Sequence, residues 1–340
     1  MTFSMLIGRP NSNMTENLSQ RKKDHLDLAQ KAQTDASVLD RRFDYEPLFF
    51  SHPEAQLSPV KFLRKTLDYP FWISSMTGGA EFAFTINQNL AKLCGKYNLG
   101  MGLGSCRPLL ESNDRLKDFA VRNLTNGLLF ANLGIAQVEE LVENNQEQKI
   151  HEMVKMLEAD GLIIHLNPLQ EWFQPEGDRF AKAPLDTLKK FLDRCPYSVI
   201  VKEVGHGMGP KSLAALLKLP IKAIEFGAFG GTNFSLLESM RQVENFIREP
   251  FINVGHTALE MIEILNALPK SDKEFIISGG IKNVLDAHEL KEKLKAPAVI
   301  GMAQPFLTPA RESFESLENY FLNLREAYLT AKGLLTVREL

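Results

Sequence analysis

From Pro70 onward, short apolar runs alternate with longer segments of mixed character. The runs fall at residues 71–76, 100–103, 128–132, 162–166, 199–202, 223–226, 275–278 and 298–302. Between them lie stretches long enough for helices, at 86–97, 138–159, 185–194, 212–219 and 283–295. Short buried strands separated by helices imply a parallel sheet, because parallel strands are covered on both faces. Eight such units are what a (β/α)8 TIM barrel requires. A doubly wound sheet is the alternative, but the turn after the first run lacks G-x-G-x-x-G. Ahead of the barrel, residues 1–20 read as a flexible segment. A helix is expected from Arg21, within an N-terminal extension spanning 21–69. Residues 21–340 then form one domain.

Composition changes this picture little. The 340 residues are 44% hydrophobic and 24% charged, as in ordinary globular chains. A formal net charge of −3 argues against bulk nucleic-acid binding. No apolar stretch approaches the ~18 residues of a membrane span, and the N-terminus lacks a signal-peptide core. Cys94, Cys106 and Cys195 form neither a disulfide framework nor a zinc pattern, so a reducing, cytoplasmic compartment is the default.

In a barrel of this kind the site lies at the C-terminal ends of the strands. The fourth run ends in His165-Leu-Asn-Pro-Leu-Gln170-Glu171. Side chains alternate along a strand, so His165 and Asn167 share a face, and Pro168 moves Gln170 and Glu171 into the following loop. An imidazole, two amides and a carboxylate at one strand mouth suit a small, charged, metal-bound ligand. The fifth run ends in Lys202, whose burial calls for an anionic partner. The first and second runs end in glycine-containing turns, one with Thr77 and the other with Arg107. Glycine doublets after the sixth and seventh runs, and Gly301-Met-Ala after the eighth, suggest backbone N–H groups gathered round a phosphate at a helix N-terminus.

Taken together these motifs resemble the type 2 isopentenyl diphosphate isomerases. The resemblance rests on Arg21-Lys22-x-x-His25, Ser75-Met-Thr-Gly-Gly79, Gly104-Ser-x-Arg107, Ala131-Asn-Leu-Gly134, His165-Leu-Asn-Pro-Leu-Gln-Glu171, Gln174-Pro-Glu-Gly-Asp178, Val201-Lys-Glu-Val-Gly205, Gly230-Gly-Thr232 and Ser278-Gly-Gly280. It implies a barrel holding flavin mononucleotide (FMN), reduced by NADPH or NADH. With magnesium, it would interconvert isopentenyl and dimethylallyl diphosphate by a 1,3-allylic proton shift.

By resemblance, Ser75, Met76, Thr77, Ser105, Asn132, Lys202 and Thr232 contact the flavin, and Gly279, Gly280, Ala303 and Gln304 hold its phosphate. Arg21, Lys22, Ser105, Cys106 and Arg107 stand at the substrate diphosphate, with His165 and Asn167 nearby. Gln170 faces the allylic carbons and Glu171 ligates magnesium. An amide is a poor Brønsted group, so most proton transfer falls to the reduced flavin and Gln170 positions or relays. The exposed N-terminal segment suggests a homo-oligomer, a tetramer or octamer.

Several positions depart from the family pattern. Cys106 stands where glutamine is usual, Lys282 for arginine, Gly209 for serine and Asn233-Phe234 for Ser-Trp. Val254-Gly-His256-Thr is one residue shorter than the usual Trp-Gly-Ile-Pro-Thr. Structural readings compete at several sites: Cys106 as an inert small side chain, Arg21-Lys22-Lys23 as a solvated helix face, and Glu171 as a loop carboxylate. His25, His206 and His256 remain open. Two other functions share the barrel. One is a flavin-dependent oxidoreductase acting on a hydroxy acid or dihydropyrimidine, the other a non-catalytic flavin or phosphate binder.

Overall fold

The computed structural model describes residues 12–49, 57–75, 82–241 and 248–338. The chain divides into two units, Met1–Asp44 and Tyr45–Leu340. In the first, a helix spans Ser12–Leu28 and so begins ahead of Arg21. A 3-10 turn, Ala36–Val38, comes next, capped by Asp35, which accepts from the Ser37 N–H at 2.7 Å.

The second unit contains the barrel. Its strands are β1 (Phe71–Ile73), β2 (Gly100–Gly102), β3 (Leu129–Gly134), β4 (Gly161–Leu166), β5 (Ser198–Glu203), β6 (Ala223–Glu225), β7 (Glu274–Ser278) and β8 (Ala298–Met302). All neighbours are parallel, and β8 pairs back onto β1 with Ile300 opposite Phe71, which closes the barrel. All eight apolar runs are strands. Most of the expected helices form where proline or asparagine can start them: Pro184 and Pro210 open Pro184–Leu192 and Pro210–Leu216, and Asn283 caps Val284–Lys293. The helix expected over 138–159 is instead two, Ile135–Glu143 and Gln148–Met156. Asn145, between them, adopts φ +53°, a left-handed conformation that ends a helix.

Parity divides the strand residues into two cores. Trp72, Phe130, Ile163, Ile200, Ala223, Ile276 and Val299 pack together in one. Their neighbours, such as Phe71, Ile73, Ala131, Ile164, Val201, Ile224 and Ile300, pack with the helices in the other. Successive side chains take opposite faces, so the first set fills the barrel. The hairpin Val60–Phe62/Lys65–Leu67 adds Phe62 and Leu67 to it. Phe62 and Phe130 each meet Trp72 edge-on, with ring centroids 5.8 Å apart. Leu63 and Arg64, at φ 48° and 65°, form the hairpin turn, and the Leu63 N–H donates to Glu274 at 2.8 Å. Lys65 and Arg122 both pair with Asp160, at 3.0 and 2.6 Å, just before β4.

Two residues further along each strand, the same parity brings Ser74, Gly102, Asn132, His165, Lys202, Glu225, Ser278 and Gly301 inward. An apolar floor thus carries a largely polar upper layer, where the strands end.

Phe62 is fully buried and closes the floor. Phe62→Ala should lower the unfolding free energy by about 3–5 kcal/mol, read from urea midpoints. An unchanged midpoint would mean that the hairpin does not contribute to the barrel core.

Candidate active site

A cavity of about 410 Å³ opens at the C-terminal ends of the strands. That lies within the ~300–1,000 Å³ of small-molecule sites. Seven residues expected to hold a cofactor line it: Ser75, Lys202, Thr232, Gly279, Gly280, Ala303 and Gln304.

Backbone forms one wall. Gly279 and Gly280 take φ +87° and +72°, and a Cβ at Gly279 would lie 2.2 Å from the Ala228 carbonyl. Only glycine permits this turn and this approach. A Cβ at Gly231 would sit 3.2 Å from the Gly280 nitrogen, so the β6 and β7 loops press together. Helix Gln304–Glu312 begins at the same wall with no side-chain cap. Its first N–H groups and positive end make the corner suited to an anion.

The floor carries charge. Lys202 is buried and donates to the Glu203 carbonyl at 2.7 Å. The Glu203 carboxylate accepts from the N–H groups of Gly205, His206 and Gly207 at 2.7, 2.6 and 3.0 Å, which folds the loop after β5. Burial raises its pKa, against those N–H groups and Lys202. Glu225 is fully buried and lines the cavity. Among the described residues neither of its carboxylate oxygens has a hydrogen-bond partner. Burial raises its pKa too, opposed by Lys202 and then by the Ser74 and Ser278 hydroxyls. Those hydroxyls face the carboxylate without completing hydrogen bonds of ordinary geometry, and the Ser74 hydroxyl is itself unpartnered.

On β4, in register with Lys202 of the neighbouring β5, His165 Nδ1 lies 2.7 Å from Asn132 Oδ1, so a neutral ring donates from that nitrogen. Burial, and then the Lys202 ammonium, push the His165 pKa down to about 3. Gln170 and Glu171 are not in a loop, as the proline had suggested, but in helix Pro168–Phe173. Proline is well placed at the first helical position, where its missing N–H costs nothing. Asn167 precedes it, and its Nδ2 donates to Gln170 Oε1 at 3.2 Å and Glu171 Oε1 at 2.7 Å. One buried amide thus gathers the side chains three and four residues on. Glu171 Oε2 accepts from the Asp178 N–H at 2.7 Å. The Asp178 carboxylate accepts from Arg107 at 3.2 Å and Gln137 at 2.7 Å.

Met76 and Thr77 lie outside the described residues. Ser105 is half-buried, whereas the Cys106 side chain is fully buried in the core, its thiol against the Gly104 carbonyl and its pKa pushed up by burial to about 12. Arg21 and Lys22 are exposed on the helix of the first unit. Sequence reasoning missed Glu225 and gave Asp178, cited only as part of a motif, no role. A lone carboxylate inside the apolar run Ala-Ile-Glu-Phe was the available signal for the first.

Among the described residues, no group of three or more His, Cys, Asp or Glu is placed to hold a metal. Glu171, the expected magnesium ligand, is a single carboxylate, and a magnesium ion held mostly by phosphates and water needs few protein carboxylates. No described helix is long and apolar enough to cross a membrane.

The chain is similar to the isopentenyl-diphosphate delta-isomerase of Rickettsia africae, at 35% identity over 309 residues, covering 88% of this chain and 87% of that one. The enzyme of the same name from a Synechococcus species is 36% identical over 315 residues, covering 90% and 89%. No family model matches the chain. Among solved structures, a mutant flavocytochrome b2 with pyruvate bound superposes with TM-score 0.59 at 13% identity, over 96% of this chain and 88% of that one. A mandelate oxidase mutant with (S)-mandelic acid gives TM-score 0.56 at 12% identity, over 88% of each chain. These two likenesses concern the fold.

NMR titration should find His165 neutral between about pH 5 and 8, where ordinary histidines titrate. Lys202→Met removes the opposing cation and should raise its pKa. The folded pKa lies below the unfolded one, so the unfolded chain takes up the proton first. The stability contributed here is present above about pH 6.5 and is lost as pH falls toward about 3. A titration midpoint near 6.5 would refute the buried, neutral ring.

Proposed function

The chain belongs to the isopentenyl-diphosphate delta-isomerase family, and we propose that it is the type 2, FMN-dependent form. As an isomerase it would move the double bond between isopentenyl and dimethylallyl diphosphate by a 1,3-allylic proton shift. The observation that carries this reading is the Asn167 amide holding Gln170 and Glu171 just beyond the neutral His165, which is in register with Lys202 of a cavity that has an anion-binding corner.

The residues fit FMN. The Gly279–Gly280 wall and the open start of helix Gln304–Glu312 suit its phosphate. The Ser74 and Ser75 hydroxyls, buried and unpartnered, await polar ring edges. Lys202 would hold the pyrimidine side, favouring the anionic reduced ring. Ser105, Asn132, Thr232, Met76 and Thr77 would complete the contacts. When bound and reduced by NADPH or NADH, the flavin supplies the proton transfer.

The substrate would lie between this cavity and Gln170. Arg107, preset by Asp178, would take a phosphate oxygen, and Glu171 would hold magnesium against the diphosphate. Asn167 fixes the rotamers of both side chains, so Gln170 positions the allylic carbons without titrating. A neutral His165 can donate or accept a hydrogen bond without placing a second cation beside Lys202. A hydroxy-acid oxidase needs a histidine base and an arginine clamp late in the barrel, where after β7 this chain has Lys282 and no histidine beside it.

Purified protein with FMN, magnesium and NADPH under anaerobic conditions should convert isopentenyl to dimethylallyl diphosphate. Turnover should stop when the flavin is left oxidised or magnesium is chelated. Gln170→Asn and Gln170→Glu should each lower kcat by about a hundredfold, the cost of roughly 1 Å of misplacement. Glu171→Gln should raise the magnesium requirement at least about tenfold. If both Gln170 variants turn over normally, the assigned role of Gln170 is wrong. A flavin-loaded, folded protein without turnover would favour the oxidoreductase or binding reading.

A further inference from the structure

We propose that Glu225 is the counter-charge to Lys202 and that its own field holds down the reduction potential of the flavin in the cavity. The inference rests on the flavin reading above.

Lys202 and Glu225 are register partners on adjacent strands β5 and β6, both pointing into the barrel and both lining the cavity. Lys202 has 7% of its surface exposed and Glu225 none. A buried charge calls for an opposite one, and two carboxylates are near. Glu203 is committed to three N–H groups of its own loop. Glu225 is not committed: among the described residues both its oxygens lack a hydrogen-bond donor, and Lys202 donates only to a backbone carbonyl. Cation and carboxylate therefore face the same space without a direct ion pair. Burial raises the Glu225 pKa, and Lys202 first, then the Ser74 and Ser278 hydroxyls, oppose it by favouring the ionised acid.

A ligand in that space meets both charges at low dielectric, where each is felt strongly. Reduction adds electron density to the flavin's pyrimidine ring. Lys202 alone would favour the reduced, anionic ring, which has already lost the proton. Glu225 offsets that field. For an isomerase this matters, because a reduced flavin serving as acid must keep its proton. Glu225 is thus a positioning residue that sets the field at the ring and does not touch substrate.

The test is the midpoint potential of bound FMN at fixed pH in the reconstituted full-length protein, with flavin uptake followed by absorbance. Glu225→Gln keeps shape and removes charge. It should favour the reduced state about tenfold, an upward shift of about 30 mV for a two-electron couple. Glu225→Asp should stay close to the wild type, and Lys202→Met should shift downward. The double variant Lys202→Met/Glu225→Gln leaves neither charge uncompensated and should fold even where a single variant does not. Its potential should lie above that of Lys202→Met. If Glu225→Gln matches the wild type, or the double variant matches Lys202→Met, while flavin is bound, the inference is overturned and the flavin reading stands. A wild-type chain that takes up no FMN overturns the flavin reading and the inference with it.

Discussion

Closing eight strands into a barrel leaves one interior, and every second residue of every strand must enter it. The rest of the structure depends on how this chain fills that volume. The first inward layer is dry and crowded. Trp72 takes so much of it that β2 offers glycine beside it: a Cβ at Gly100 would come within 2.4 Å of the indole. Phe62 and Leu67 fill the space from below. Water is thereby excluded from beneath the next layer, where the chain places two amide or imidazole groups, two hydroxyls, a cation and a carboxylate.

That dryness gives the upper layer its chemistry. In water His165 would titrate near neutrality; over an apolar floor and near Lys202 it stays neutral. The same floor makes Lys202 and Glu225 costly to bury, so their stability cost must be offset by packing elsewhere and is tolerated where it equips a site. Where polar groups have protein partners, as in Asn132–His165 and Asn167–Glu171, they are fixed in orientation before any ligand arrives. Where they lack them, as at Ser74, Ser75 and Glu225, they line the cavity or its rim. The oriented amides and carboxylates form the part of the mouth that positions, although the Asn167 carbonyl oxygen is itself unpartnered among the described residues, and the open hydroxyls and Glu225 form the part that receives.

Much of this was legible in the chain because buried parallel strands read as apolar runs, and the runs at 162–166 and 298–302 nearly coincide with β4 and β8. The glycine doublets were legible for a local reason, since positive φ at Gly279 and Gly280 restricts the residue type. The hidden features depend on neighbours distant in sequence. Glu225 sat within a run counted as apolar, and only the closed barrel shows that it shares an inner layer with Lys202. The pairing of Asp178 with Arg107 spans 71 residues and leaves no periodic trace. Proline at 168 was a sound sign that the strand ends but an ambiguous sign of the next element, because it opens a helix as readily as a loop.

Most departures from the family pattern are explained by contacts of the same kind, while nothing in the structure explains Lys282 or Phe234. Cys106 faces the core, so the glutamine usual there is replaced by a side chain small enough to be fully enclosed. Gly209 and His256 belong together. A Cβ at position 209 would lie 3.0 Å from His256 Nε2, so the usual serine and this histidine compete for one space. The shortened segment that carries His256 is tied to the loop after β5: the His256 N–H donates to the His206 carbonyl at 2.7 Å, and His206 Nδ1 reaches the Val254 carbonyl at 2.6 Å. His206 Nε2 meets Ser235 at 2.8 Å, and Asn233 caps helix Phe234–Met240 while its amide holds the Ile252 carbonyl at 2.7 Å. Loss of bulk at 209, gain of a ring at 256 and the asparagine cap at 233 are therefore one local repacking around the loop that comes after Lys202. It changes the outer support of the cavity while leaving Lys202, Thr232 and the glycine wall as part of its lining.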